Sequence, residues 1–410
     1  MEDQAVRKGL SVTAIVLTVI SCLLLSFNDT HEKLFGRAST LYGIPFIFAF
    51  AIPLIAILII LTRYYNNTDT IEEMIGAVAV RYSIFGWLFV FVMRLVGAVF
   101  TAFFLDFYLS NSTVIYLLTN SLNVAVVCTL FTALSLRGLP KVRIEKRRLK
   151  FKQLLLLIMM MYGMAQIGNM MGMPLEAIFS LPVAFAPRED NTLAGLQNLF
   201  LSSDTFVRII TVGIIPPIFE ELLFRKFMID RTIRHGEFIS CAMSGIMFGL
   251  WHGNFQQFFY AFFVGVLFAF VYIRTGNIIY TMILHASMNL VTSTITIELL
   301  VELIRRTGIN IETGTIDSGV DEEVLIQSII PIILLILLWI LILFGFEVAG
   351  FILLIVKRKN FKLVTMEGEP GRKAIIQKMT HSVAMWVFFA FVLLRFTTYY
   401  LPDFLVLFFR

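Results

Sequence analysis

The chain has 410 residues, 58% of them hydrophobic and only 15% charged, with a mean hydropathy of +0.86 and a formal net charge of +5. A soluble domain of this length has no means of hiding so much apolar surface, so the composition excludes a soluble enzyme and predicts an all-α, polytopic membrane bundle. Cys22, Cys128 and Cys241 are scattered among apolar runs and support neither a disulfide framework nor a thiolate metal site.

In chain order, apolar runs predict about eleven membrane helices near residues 10–27, 43–62, 83–108, 113–135, 153–172, 205–230, 237–253, 255–273, 278–297, 326–356 and 383–406. The first run lacks a small-residue cleavage site and is read as a span rather than a removable signal. With the N-terminus inside, most of the 33 Lys and Arg fall in inner segments, which predicts an N-in, C-out, multi-pass arrangement, expected in a bacterial cell membrane. The stretch RGLPKVRIEKRRLKFK is then an inner loop lying against anionic lipid, with no nucleic-acid partner. The outer loop ELIRRTGINIETGTIDSGVDEEV is net acidic and expected to be mobile. No internal repeat is visible. The chain divides into an N-terminal transmembrane region of about five helices (1–199), a core of about four (200–297), and an outer loop with two C-terminal helices (298–410).

Polarity inside the membrane concentrates in that core. In PPIFEELLFR, Glu221 and Arg225 stand four apart with the acid first, the better orientation for an ion pair on one helix face. Glu220 lies about 100° around the helix from Glu221, on a neighbouring face. In FGLWHGN, Phe248 and His252 are four apart; in LHASMN, so are His285 and Asn289. Each helix thus carries one polar stripe on an apolar cylinder. Glu220 precedes the turn at Gly236 by as many residues as His252 follows it, which sets both at one level, roughly 24 Å from the turn. His285 lies roughly 13 Å beyond the turn RTGN. The polar run RKFMIDRTIRHGE implies a hairpin protruding into the cytosol. Pro216–Pro217 breaks the backbone ladder just before Glu220, freeing carbonyls and opening space beside the carboxylate.

A glutamate, two histidines and an amide around one partly dehydrated cavity suit water activation. Glu220 is the candidate general base; His252 shares or positions the water's proton; His285 and Asn289 are candidate donors to an oxyanion; Glu221 with Arg225 is a structural pair. Glu220, His252 and His285 also form a ligand set for one catalytic zinc, so both a cofactor-free scheme and a scheme with one divalent metal stay open.

EELLFR matches E-E-x-x-x-R, FGLWH matches F-x-x-x-H, and HASMN matches H-x-x-x-N, in that order. On these motifs the chain resembles the CPBP family of intramembrane proteases, which includes type II CAAX prenyl endopeptidases and bacterial Abi and bacteriocin-immunity proteins. The resemblance covers roughly 200–295. It implies an all-helical core, peptide hydrolysis, a peptide or lipidated protein substrate among membrane lipids, and Glu220, His252, His285 and Asn289 as the catalytic set. Glu221 and Arg225 complete the first motif. The family has been described both as metalloproteases and as metal-free glutamate proteases.

Two other readings use the same residues. A transporter or proton relay could run through the Glu/His cluster, although the lack of an inverted repeat counts against it. A non-catalytic scaffold or immunity protein would not require intact motifs. Elsewhere, Glu347 and Arg395 are expected to neutralise each other on neighbouring helices, and Asn120 or Asn123 to solvate Arg94. FQQFFYAFF reads as packing and interface anchoring. His31, His235 and His381 lie in loops or at helix ends. Ser244–Gly245 lacks the preceding glycine of a serine intramembrane protease.

Overall fold

The computed structural model describes residues 2–35, 49, 51–185, 204–307 and 322–409. Every regular element among them is helical: α1 (Glu2–Phe35), α2 (Ile52–Tyr64), α3 (Ile71–Phe103), α4 (105–135), α5 (Phe151–Phe185), α6 (205–235), α7 (Glu237–Trp251), α8 (Phe255–Thr275), α9 (278–307), α10 (Glu322–Val356), α11 (Arg372–His381) and α12 (Val383–Phe409). Among the described residues the apolar runs are helical, and 8 helices are long and apolar enough to cross a membrane. Three of the eleven expected spans fall outside that set. With 13 and 15 residues, α2 and α7 are short; α7 reaches roughly 22 Å against a hydrocarbon core of about 30 Å. The third, α6, is broken into short pieces by changes of helical register.

Elsewhere the helices outrun the hydropathy. Helix α1 continues to Phe35, α5 to Phe185 and α9 to Thr307, into stretches expected to be outer loops. The acidic residues 308–321, expected to be mobile, lie outside the described residues, as do 36–48, 186–203 and Arg410.

Packing places α6–α8 between the N-terminal and C-terminal helices. The largest buried cluster joins Leu58 of α2, Val78 and Phe85 of α3, Phe224 of α6, Met247 and Trp251 of α7, and Phe388 and Phe391 of α12. A second joins Met161 of α5 to Val264 and Phe268 of α8 and Leu284 of α9. Lipid supplies no hydrophobic drive between helices, so close backbone approach has to hold them. Helix α5 provides it with small residues: a Cβ on Gly163 would lie 2.6 Å from the Gly350 carbonyl carbon of α10, and one on Gly172 would lie 2.7 Å from Phe255 O of α8. Buried Glu176 of α5 adds a polar tie, accepting from Tyr400 Oη of α12 at 2.5 Å and from Gln256 N of α8 at 3.3 Å.

The run RKFMIDRTIRHGE, expected to protrude as a hairpin, is tied into its neighbours. It continues α6 and is packed: Asp230 is buried, pairs with Lys226 at 2.6 Å and accepts from Tyr272 Oη at 2.7 Å. Arg231 donates to Leu136 O at 3.0 Å, and Arg234 donates to Thr68 O. The basic stretch after α4 runs extended across these helix ends, bonding Asp230 O from Val142 N at 2.6 Å and Thr275 O from Arg147 N at 2.7 Å. Its Lys and Arg side chains point outward, exposed.

Candidate active site

The local structure of α6 begins from its two prolines. Residues Ile209–Ile214 form a π-helical turn, and Ile215 N bonds Ile210 O, five residues back. In that register Pro216 and Pro217 stand opposite Thr211 O and Val212 O but have no N–H to offer. Other helices supply the missing donors. Ser121 Oγ of α4 donates to Thr211 O at 2.5 Å, and Asn289 Nδ2 of α9 donates to Val212 O at 2.9 Å. A second π-helical turn, Leu222–Phe227, follows the glutamates, and it too draws outside donors. Tyr82 Oη of α3 donates to Leu223 O, and Ser244 Oγ of α7 donates to Phe224 O at 2.8 Å. The Ser244 hydroxyl hydrogen is thereby committed to backbone. Glu220 and Glu221 sit on Ile215–Glu221, one α-helical segment clamped at both ends by such bonds.

Around these acids the three sequence motifs interlock. Arg225 Nε lies 3.0 Å from Glu221 Oε2 with both side chains fully buried, an ion pair by distance whose N–H does not point straight at the oxygen. The guanidinium stacks over the Phe248 ring at 4.4 Å and the Phe268 ring at 5.4 Å. Phe248 also meets the rings of His252 and His285 edge-on, at 5.2 and 5.6 Å. Glu221 has a second partner that the sequence reading lacked: its Oε1 lies 3.0 Å from His285 Nδ1. Glu220 Oε2 lies 3.8 Å from His285 Nε2.

His252 ends α7 at the turn into α8, where Gly253 takes φ +73 and the Asn254 side chain caps α8 by accepting from Gln257 N at 2.8 Å. Its Nδ1 lies 3.0 Å from Phe248 O. A carbonyl only accepts, so Nδ1 carries the hydrogen and Nε2 keeps a free lone pair. A neutral His285 that donates from Nδ1 to Glu221 Oε1 presents Nε2 as an acceptor in the same way.

Glu220, His252, His285 and Asn289 all line one cavity of about 390 Å³. Residues from outside the core segment line it as well: Phe89, Tyr116 and Asn120 from α3 and α4, and Arg395 from α12. Gln257 and Tyr260 of the aromatic run are on its wall too, so FQQFFYAFF is more than packing. Their spacing along α8 with Val264 and Phe268, three to four residues at each step, was the available signal.

Other expectations change. Asn289 donates one N–H to Val212 O and keeps the other, and His285 has Nδ1 against Glu221 and keeps Nε2. Glu221–Arg225 is not an isolated structural pair. Among the described residues no group of three His, Cys, Asp or Glu is placed to hold a metal ion. Glu220, His252 and His285 share the cavity but are not gathered as a zinc ligand set. Glu347 lies on α10, which packs on α5, whereas Arg395 lies on α12, which packs on α1 and α3; among the described residues no ion pair joins them. Asn123 donates to Phe89 O at 2.8 Å.

Residues 202–291 match the family model described as Type II CAAX prenyl endopeptidase Rce1-like. The matched segment spans α6, α7, α8 and the first part of α9, the helices that carry the three motifs. No curated protein and no solved structure matches the chain.

Proposed function

We propose, from a chain whose residues 202–291 are similar to the Rce1-like type II CAAX prenyl endopeptidases, that this protein is an intramembrane endopeptidase. It hydrolyses peptide bonds of membrane-associated, CAAX-type or other peptide substrates with water activated by Glu220. The single observation that carries this reading is the meeting of Glu220, His252 and His285 at one cavity within a membrane bundle.

In this scheme Glu220 takes a proton from water as the oxygen attacks the scissile carbonyl carbon. Glu220 and His285 Nε2, 3.8 Å apart, are close enough for one water to touch both at about 2.8 Å. His285, held through Nδ1 by Glu221, accepts the proton at Nε2 and stabilises the developing oxyanion as its imidazolium. The proton then passes to the amide nitrogen as the C–N bond breaks. Once His285 has taken up the proton, His252 Nε2 accepts the oxygen's second hydrogen, and Asn289 has one N–H left for the oxyanion. No step uses a metal, since the candidate ligands do not form a set. The distribution of Lys and Arg supports N-in, C-out, with the cavity reached from the cytoplasmic half.

Comparing membranes that carry the wild-type protein with membranes that carry Glu220→Gln, by proteomics and by cleavage of a farnesylated tetrapeptide, tests this. Glu220→Gln is expected to abolish cleavage at unchanged yield and melting temperature. Cleavage at the wild-type rate would remove Glu220 from the mechanism.

A further inference from the structure

Arg395 lies outside the segment that matches the family, yet it lines the same cavity as Glu220, His252 and His285. Its guanidinium carbon stands 5.3 Å from the Phe89 ring centre and 5.8 Å from that of Trp251. Those rings engage its charge but none of its five N–H donors. Its Nε is buried without a hydrogen-bond partner, and among the described residues no hydrogen bond or ion pair holds the side chain. Among the described residues no ion pair joins it to Glu347, the acid expected to neutralise it. Among the described residues no ion pair joins it to Glu220 either.

Position makes this cation useful. Arg395 is pressed against the turn that carries His252: a Cβ on Gly253 would lie 2.7 Å from Arg395 Cβ and 3.1 Å from its Nε. Twelve residues into α12, it lies about 18 Å from the helix start. That depth is near the middle of a hydrocarbon core about 30 Å thick, far from lipid phosphates. A charge there is costly and is kept where it has a task. A fixed guanidinium with free donors matches a carboxylate, which it can grip at two points.

We propose that Arg395 binds a carboxylate of the peptide substrate, either its free C-terminus or an acidic side chain, beside the bond to be cleaved. This selects substrates cut close to an anionic end, and as a specificity role it rests on the peptidase reading.

Binding to the full-length protein in detergent tests it, in a Glu220→Gln background that prevents turnover. The probes are a dansyl-labelled S-farnesyl tetrapeptide with a free C-terminus, its C-terminal amide, and the amide with glutamate as last residue. The free carboxylate is expected to bind at least tenfold more tightly than the amide. Arg395→Gln is expected to erase that ratio, with Arg395→Lys retaining part of it. Tight binding of the glutamate-ended amide would place the recognised acid on the side chain rather than the terminus. Equal affinity for acid and amide, a ratio that survives Arg395→Gln, or equal weakening of both peptides would overturn the proposal. Cleavage of the same peptides by the protein with Glu220 intact reads the hydrolase separately: carboxylate-dependent binding without cleavage removes the peptidase and leaves the anion site.

Discussion

Glu221 Oε1 lies 3.0 Å from His285 Nδ1, and both side chains are buried. This bond joins the first sequence motif to the third and turns His285 Nε2 towards Glu220. Through Glu221 Oε2 it continues to Arg225 and from there to the Phe248 ring, so the motifs form one connected unit.

A carboxylate that holds an imidazole in one tautomer has an effect distinct from one that only balances an arginine. Glu221→Gln preserves volume but removes the charge that supports a protonated His285. Its kcat/KM is expected to fall about 100-fold or more, since positioned proton transfer contributes about 10²–10⁴-fold. Glu221→Ala is expected also to cost about 3–5 kcal/mol of stability, because Arg225 is left as an uncompensated buried charge. Kinetics and thermal melts on purified protein check both. A Glu221→Gln variant with wild-type kcat/KM would reduce Glu221 to a packing partner.

The bond from Asn289 to Val212 O exists because Pro217 has no N–H to give. Asn289→Ala strands that carbonyl and is expected to cost about 1–3 kcal/mol. In a Pro217→Ala background the backbone can make the bond itself, so the penalty should shrink. A double-mutant cycle measured by unfolding in detergent reads the coupling directly. Strictly additive effects would show that Asn289 is not replacing a proline-deleted bond.

How far this was legible differs by element. The spacings Glu221–Arg225, Phe248–His252 and His285–Asn289 each set one polar stripe, and with Gly236 and Gly276 as turns they were enough to bring the stripes to one level. The π-helical turns on either side of the glutamates were not legible. Nothing in IITVGI or LLFRKF marks a change of register, which is sustained by Ser121, Tyr82 and Ser244 on other helices. Hydropathy registers greasiness and not length: α7, with Glu237, Ser240 and Ser244 among its apolar residues, has 15 residues and ends at a turn within the protein. Arg395 was misread because matching depths on two helices do not make them neighbours. Helix α10 faces α5 through Gly163 and Gly350, and only packing reveals that.

The separation of the acid and imidazoles also bears on metal dependence. Among the described residues no three His, Cys, Asp or Glu donors gather to hold a metal ion. Cleavage is expected to persist after exhaustive chelation, with less than one equivalent of zinc per chain by elemental analysis. Loss of activity on chelation, restored by zinc, would require a rearranged site.

Helix packing reaches the site through Gly168 of α5. A Cβ there would lie 2.7 Å from the Phe259 carbonyl carbon and closer still to the backbone of Tyr260, a wall residue of the cavity whose ring centre is 6.4 Å from that of His252. Gly168→Ala must push α8 away from α5, and such overpacking costs about 1–3 kcal/mol. Because α8 carries Gln257 and Tyr260 with it, cleavage should fall along with stability. Gly345→Ala on α10 is the matched control, since nothing lies within 4 Å of its added Cβ. There, alanine should be neutral or stabilising by up to about 1 kcal/mol from helix propensity alone. Equal melting temperatures and rates for the two variants would mean that the α5–α8 contact does not set the cavity wall.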